Sequence, residues 1–147
     1  MNKQAYVFLN SSRVLQWQWL RLKARHDELK SCLLPAAIRY DKEKVQTMPE
    51  DKFTEIMASI MDLEKQMNEL QIERAERIKL ITDTILEIPN EESKTALTMR
   101  FISRTPVSEI AKQMGYAEPS IYKFLNQGAD WIAQNNNYIK NINIFMR

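Results

Sequence analysis

Residues 93–133 read SKTALTMRFISRTPVSEIAKQMGYAEPSIYKFLNQGADWIA, and the periodicity of this stretch decides the fold. Ala96, Leu97, Met99, Arg100 and Ile102 predict a helix that ends before Thr105 and Pro106. A short helix follows, with Val107, Ile110, Ala111 and Met114 inward, and Gly115 stops it. Pro119 opens another helix, which carries Ile121, Phe124, Leu125 and Trp131. Helix, three-residue turn, helix is the outline of a helix-turn-helix. Ala111 is the small residue that two crossing backbones require. Gly115, four residues on, is the residue that tolerates a left-handed turn. Ile121 is the aliphatic anchor of the second helix, and Ile110, Met114 and Phe124 complete a small core. A purely structural pair of helices would use the same residues.

Read as a helix-turn-helix, the segment sends the helix opened by Pro119 into the major groove. Its outward positions would include Ser120, Tyr122, Lys123 and Gln127. Lys123 can meet a phosphate or guanine, Gln127 can pair with adenine, Ser120 can reach a base or phosphate, and Tyr122 can hydrogen-bond or stack. Arg100, Arg104 and Lys112 lie on flanking helices, where backbone contacts arise. The surface is weakly basic, so one copy would neutralise few phosphates, and a dimer or a protein co-partner is expected.

The rest of the composition agrees with an all-α chain. Only two of 147 residues are glycine, against an average near 7%. Gly-rich phosphate loops and tight β-hairpins therefore have no material. Cys32 and His26 are each the sole residue of their type and lie six apart, so neither a zinc ligand set nor a Cys–His nucleophile pair is expected. Both are read as inert packing or surface positions, without a disulfide framework, in a cytoplasmic protein. No apolar run suits a membrane span, and MNKQAYVFLNSSR does not suit a signal peptide. No paired carboxylates or nucleophile–base set stand out, so neither an enzyme nor a bound cofactor or metal is expected.

Five prolines divide the chain. Ahead of Pro35, a helix is expected from about Ser11 to Leu34, capped by Ser11 or Ser12. Leu15, Trp19, Leu22, His26, Leu29 and Leu33 form its apolar stripe. Trp17 and Trp19 stand beside Arg13, Arg21, Lys23 and Arg25, a nucleic-acid surface in principle, but tryptophans on a helix more often fill a core. A short helix at Ala36–Tyr40 and a cap at Thr47 or Asp51 belong to the connection that follows. From about Glu50 to Ile88 a long helix carries Phe53, Ile56, Ile60, Leu63, Met67 and Leu70 at heptad spacing. Arg74 and Arg77 interrupt that seam, predicting a kink or stutter, before Ile78, Ile81 and Ile85 resume it. Either the first helix, folded back antiparallel, or a second copy of the chain could fill the seam. The overall expectation is a long helical hairpin or coiled coil followed by a C-terminal helix-turn-helix domain.

In sequence order this gives an N-terminal helix and connection (1–48), a heptad helix (49–92), the helix-turn-helix domain (93–133) and an Asn-rich tail (134–147). In that tail, Ile142, Ile144 and Met146 hint at a strand, and fraying is the default. Residues 1–48 carry nine Lys/Arg and four Asp/Glu, residues 49–92 five and twelve, and residues 93–147 seven and three. Basic ends thus flank an acidic middle, as in a nucleic-acid-binding segment beside one that avoids the polymer.

EIAKQMGYAEPSIYKFLNQGADWI resembles the helix-turn-helix of sigma-70 region 4. LTMRFISRTPVSEIA and the connection KVQTMPED extend the resemblance, over about residues 10–133, to small phage and prophage regulators of the ArpU/RinA type. Phe101 stands where that family commonly has Tyr, and Ala117 where it favours a Ser cap. The resemblance implies a DNA-binding regulator of phage late-gene or packaging promoters, with double-stranded DNA as ligand. A homodimer and contact with bacterial RNA polymerase go with that role. The alternative is a phage-encoded factor that binds host polymerase or another host protein, with the helix-turn-helix as scaffold and the acidic segment as its interaction surface. Gly115→Val is the substitution expected to harm the C-terminal domain most.

Overall fold

The structure, a computed structural model, describes residues 1–38 and 49–135. Among the described residues there are helices and no strands. In chain order they are α1 (Lys3–Leu9), α2 (Ser11–Ile38), α3 (Glu50–Leu86), α4 (Glu91–Leu97), a π-helical turn (Thr98–Ile102), α5 (Val107–Met114) and α6 (Glu118–Asn135). The hinted strand at Ile142, Ile144 and Met146 and the cap at Thr47 fall outside the described residues.

The chain forms two compact units that cut across its sequence order. One combines Met1–Arg13 with the chain from Ala75 onward; the other is Val14–Arg74. The first has a single apolar core. It contains Phe8 and Leu9 from α1, Ile81 and Ile85 from α3, Leu97 from α4, Ile110 from α5, and Ile121 and Ile132 from α6, all fully buried. α6 is the hub, packed by α1, α4 and α5.

Helix α1 has no counterpart in the expectations from sequence. The Asn2 side chain caps it by accepting from Ala5 N–H at 3.1 Å, and Ala5, Phe8 and Leu9 fall on one face. A seven-residue helix is unstable alone, so its existence rests on that buried face. Ser11 does not act as an N-cap acceptor. Its hydroxyl donates to the Phe8 carbonyl at 2.6 Å and closes the corner between α1 and α2.

Other boundaries also shift. α2 continues through Pro35 to Ile38 and so takes in the start of the helix expected at Ala36. A proline withholds one N–H from the helix ladder, and the other rungs carry the helix on. Asp51 sits inside the first turn of α3, where its charge suits the helix dipole, rather than at a cap. α3 ends at Leu86, before Pro89, whose ring disfavours helical backbone just ahead of it. Ile88 is still buried. The side chain of Asn90 starts α4 by accepting from Ser93 N–H at 2.8 Å. The predicted 96–102 helix is in fact this α4 plus the π turn, marked by a bond from Ser103 N–H to Thr98 O at 3.1 Å.

At Arg74 and Arg77 no break interrupts α3. The boundary between the two units falls between Arg74 and Ala75. The apolar stripe changes register there because it leaves one core and joins another.

In the second unit, Leu15, His26, Ile60 and Leu63 are buried. Trp19, Leu22, Leu29, Leu33, Ile56, Met67 and Leu70 are half-buried. Phe53, the first residue of the heptad seam, is exposed, as is Trp17, which lies two residues from Trp19 and hence on another face of α2. Trp19 has the Lys23 ammonium 5.9 Å from its ring centroid. His26 takes its place in the apolar stripe, but it is not inert: both of its ring nitrogens meet carboxylates. Cys32 is exposed.

Candidate nucleic-acid interface

The candidate interface is built on α5, the turn Gly115–Ala117 and α6. Pro106 precedes α5 with φ −62° and ψ 148°, and its carbonyl accepts from the N–H groups of Glu109 and Ile110, each at 3.0 Å. Gly115 ends the helix in the left-handed region, with φ 75° and ψ 31°. The N–H groups of Gly115 and Tyr116 both donate to the Ala111 carbonyl at 3.0 Å. The Ala117 carbonyl then accepts from Ser120 and Ile121 to start α6. Ala117 offers no side-chain oxygen to the α6 N-terminus, and Glu118 lies in the first turn, where a carboxylate complements the dipole.

Ile110, Ala111 and Ile121 are buried, while Met114 and Phe124 are half-buried. Tyr116 adds a contact that sequence reasoning missed. Its ring meets Phe124 edge-on, with centroids 4.9 Å apart and planes at 80°. Neither spacing nor composition pairs a turn residue with one eight positions later.

On the outer face of α6, Tyr122, Lys123 and Gln127 are exposed and Ser120 is half-buried. Asn126 joins them, exposed four residues beyond Tyr122 and three beyond Lys123, so it belongs to the same face. Its amide can bond adenine as well as Gln127 can. The same i, i+4 spacing in the sequence would have found it. Lys112 is exposed on α5.

Arg100 and Arg104 lie ahead of α5, outside the two helices of the candidate face. Arg100 is half-buried in the π turn. Arg104 is the one described non-glycine residue with positive φ, at 58°. Its guanidinium donates to Asn10 Oδ1 at 3.0 Å and Ser12 Oγ at 3.2 Å. It fastens the loop before α5 to the corner between α1 and α2. The sequence could not signal this, because its partners lie more than ninety positions away.

The charge of the face is balanced rather than basic. α5 and α6 together carry Lys112 and Lys123 against Glu109, Glu118 and Asp130, all exposed. Among the described residues no group of three His, Cys, Asp or Glu side chains could hold a metal, and no helix is long and apolar enough to cross a membrane.

A family model described as "Protein of unknown function (DUF1492)" matches residues 39–132, well over half of the chain. The chain belongs to the DUF1492 family. The matched span includes all of α3, α4 and α5 and most of α6, hence the whole candidate face. It omits α1, which supplies Phe8 and Leu9 to the core beneath the DUF1492 portion. Neither the curated proteins nor the solved structures contain a match.

Proposed function

We propose that this DUF1492 protein is a DNA-binding regulator of transcription in which α5, the Gly115 turn and α6 act as a helix-turn-helix. One observation carries the reading. A left-handed glycine joins two packed helices that bury Ile110, Ala111 and Ile121 in one core, while Tyr122, Lys123, Asn126 and Gln127 are exposed on the second helix. The resemblance to ArpU/RinA-type regulators supports phage late-gene or packaging promoters as its sites. Specificity comes from base contacts by α6, with little non-specific attraction, because two lysines on the face stand against three carboxylates.

A mobility-shift assay on promoter DNA from the host phage or prophage, run across salt concentrations, tests this. Lys123→Ala and Gln127→Ala should each weaken specific binding by about 1–3 kcal/mol if each removes a base contact. Lys123→Ala should also flatten the salt dependence if it meets a phosphate. Absence of binding even at low salt would overturn the reading. The carboxylates Glu109, Glu118 and Asp130 favour the second reading in that event: a protein partner, with host RNA polymerase the first to test by pull-down.

The reading includes a homodimer. Ile60 and Leu63 are already buried within one chain, so the subunit contact is assigned to the exposed side of α3, where Phe53, Met57 and Met61 recur at four-residue spacing. Light scattering should give about twice the 17.4 kDa of one chain. The double substitution of Met57 and Met61 by Glu should return the mass to that of a monomer without unfolding it, since both side chains are exposed. A wild-type monomer at tens of micromolar, on the order of ordinary dimer affinities, would remove the dimer from the proposal.

A further inference from the structure

The chain has one histidine, and it stands where the stripe of α2 calls for an aliphatic side chain. His26 is 9% exposed. Its Nδ1 lies 3.0 Å from Asp27 Oδ1 on the same helix, and its Nε2 lies 2.9 Å from Glu64 Oε1 on α3. Asp27 is also paired through its other oxygen with Lys23 Nζ at 2.9 Å. A carboxylate at neutral pH can only accept hydrogen bonds. Both contacts are therefore hydrogen bonds only when both ring nitrogens carry protons, that is, when the ring is an imidazolium. A neutral ring has one N–H. Whichever tautomer it adopts, one nitrogen lone pair then faces a carboxylate oxygen at about 3 Å, an unfavourable contact that the half-exposed carboxylates relieve by turning away from the ring into water.

We propose that His26 is a proton-operated latch between α2 and α3, holding the two helices together while the ring is doubly protonated and loosening them when it gives up a proton. The bond to Glu64 joins residues 38 positions apart and reaches from α2 to α3, whereas the Lys23–Asp27 and Gln66–Asp62 pairs each stay within one helix. The groups facing the ring are Asp27, with Lys23 behind it, on α2, and Glu64 on α3. Hydrogen bonds to Glu64 and then to Asp27 hold the ring above its ordinary 6.5, against a smaller opposing effect of burial. A folded-state value above the unfolded one gives stability that is complete below 6.5 and lost as pH rises through the raised value. On the acid side, the bonds from Lys23 and His26 hold Asp27 below 3.8, so its contribution disappears as pH falls through that lowered value. The contributions of His26 and Asp27 are therefore both present in the mildly acidic range between them, and that of His26 is lost toward alkaline pH.

Because the histidine is the only one, its ring proton signals in an NMR titration of the full chain are unambiguous. The midpoint is expected above 6.5 in the native protein and lower in Glu64→Gln, which keeps the shape of the partner and removes its charge. Trp17 and Trp19 both lie in this unit, so thermal unfolding followed by tryptophan emission in Trp131→Phe, which silences the third, reports on the latch. The melting temperature should fall from about pH 6 to about pH 9, the range in which a raised histidine titrates. In His26→Leu, which restores the aliphatic stripe, that fall should vanish, and groups other than His26 that titrate there are subtracted by the comparison. A native midpoint at or below 6.5, or an equal fall in His26→Leu, would overturn the proposal. If the leucine variant does not fold, the Glu64→Gln midpoint decides alone: a drop supports the latch and no change refutes it.

Discussion

Phe8→Ala is expected to destabilise the unit that carries the candidate DNA-binding face by about 3–5 kcal/mol, the usual cost of emptying a fully buried aromatic site. Phe8 is 0% exposed and packs in one core with Ile81, Leu97, Ile110, Ile121 and Ile132. Domains have only about 5–15 kcal/mol to lose, so this substitution, nearly a hundred positions before α5, should remove a large share of the margin. Urea unfolding followed by Trp131 emission, in a Trp17→Phe, Trp19→Phe background, reads this unit directly because Trp131 packs against its core. The DNA binding proposed for α6 should be lost at temperatures where the wild type is still folded. A change below about 0.5 kcal/mol, the scale of surface substitutions, would mean that α1 does not belong to the core.

Gly128→Leu is the second large effect. α6 runs unbroken through Gly128. This glycine is buried where α6 crosses α4. A Cβ placed there would lie 2.5 Å from Leu97 Cδ1 and 3.3 Å from Ser93 Cβ. Leu97 is itself fully buried and has little room to yield. Overpacking of this kind costs about 1–3 kcal/mol, and a leucine at so close a crossing should sit at the upper end. Gly128→Ala should be milder, because its gain in helix propensity of about 1 kcal/mol offsets part of the clash. Gly115 behaves differently. Nothing lies within 4 Å of a Cβ built there, so Gly115→Val meets only the backbone penalty at φ 75°, about 1–2 kcal/mol. Ranking the three variants by urea midpoint, with Gly128→Leu lowest, tests whether the helix crossing or the turn matters more. The sequence singled out the turn.

The two glycines show how far each kind of signal reaches. Gly115 was legible because a left-handed residue four positions after Ala111 and six before Ile121 is a local pattern. Gly128 was not, because what makes it necessary is Leu97 and Ser93, some thirty positions away on another helix. Arg104 follows the same logic. As a sequence letter near a presumed DNA-binding helix it reads as a phosphate contact. The structure adds bonds to Asn10 and Ser12 that no local pattern announces. On the candidate face, Tyr122, Lys123 and Gln127 were predictable from helical spacing, and Asn126 obeyed the same rule.

The sequence by itself determined that the chain is helical. Scarce glycine, prolines as punctuation, and apolar residues three and four apart are properties of neighbouring positions, and a helix is a local structure whose bonds span four residues. Only the tertiary structure decided what each helix is for. It placed the N-terminal α1 in the core of the C-terminal unit, divided α3 between two units at Arg74, and set His26 against Glu64. Those outcomes depend on which buried faces fit together across long separations, and a periodic stripe says that a face must be covered without saying by what.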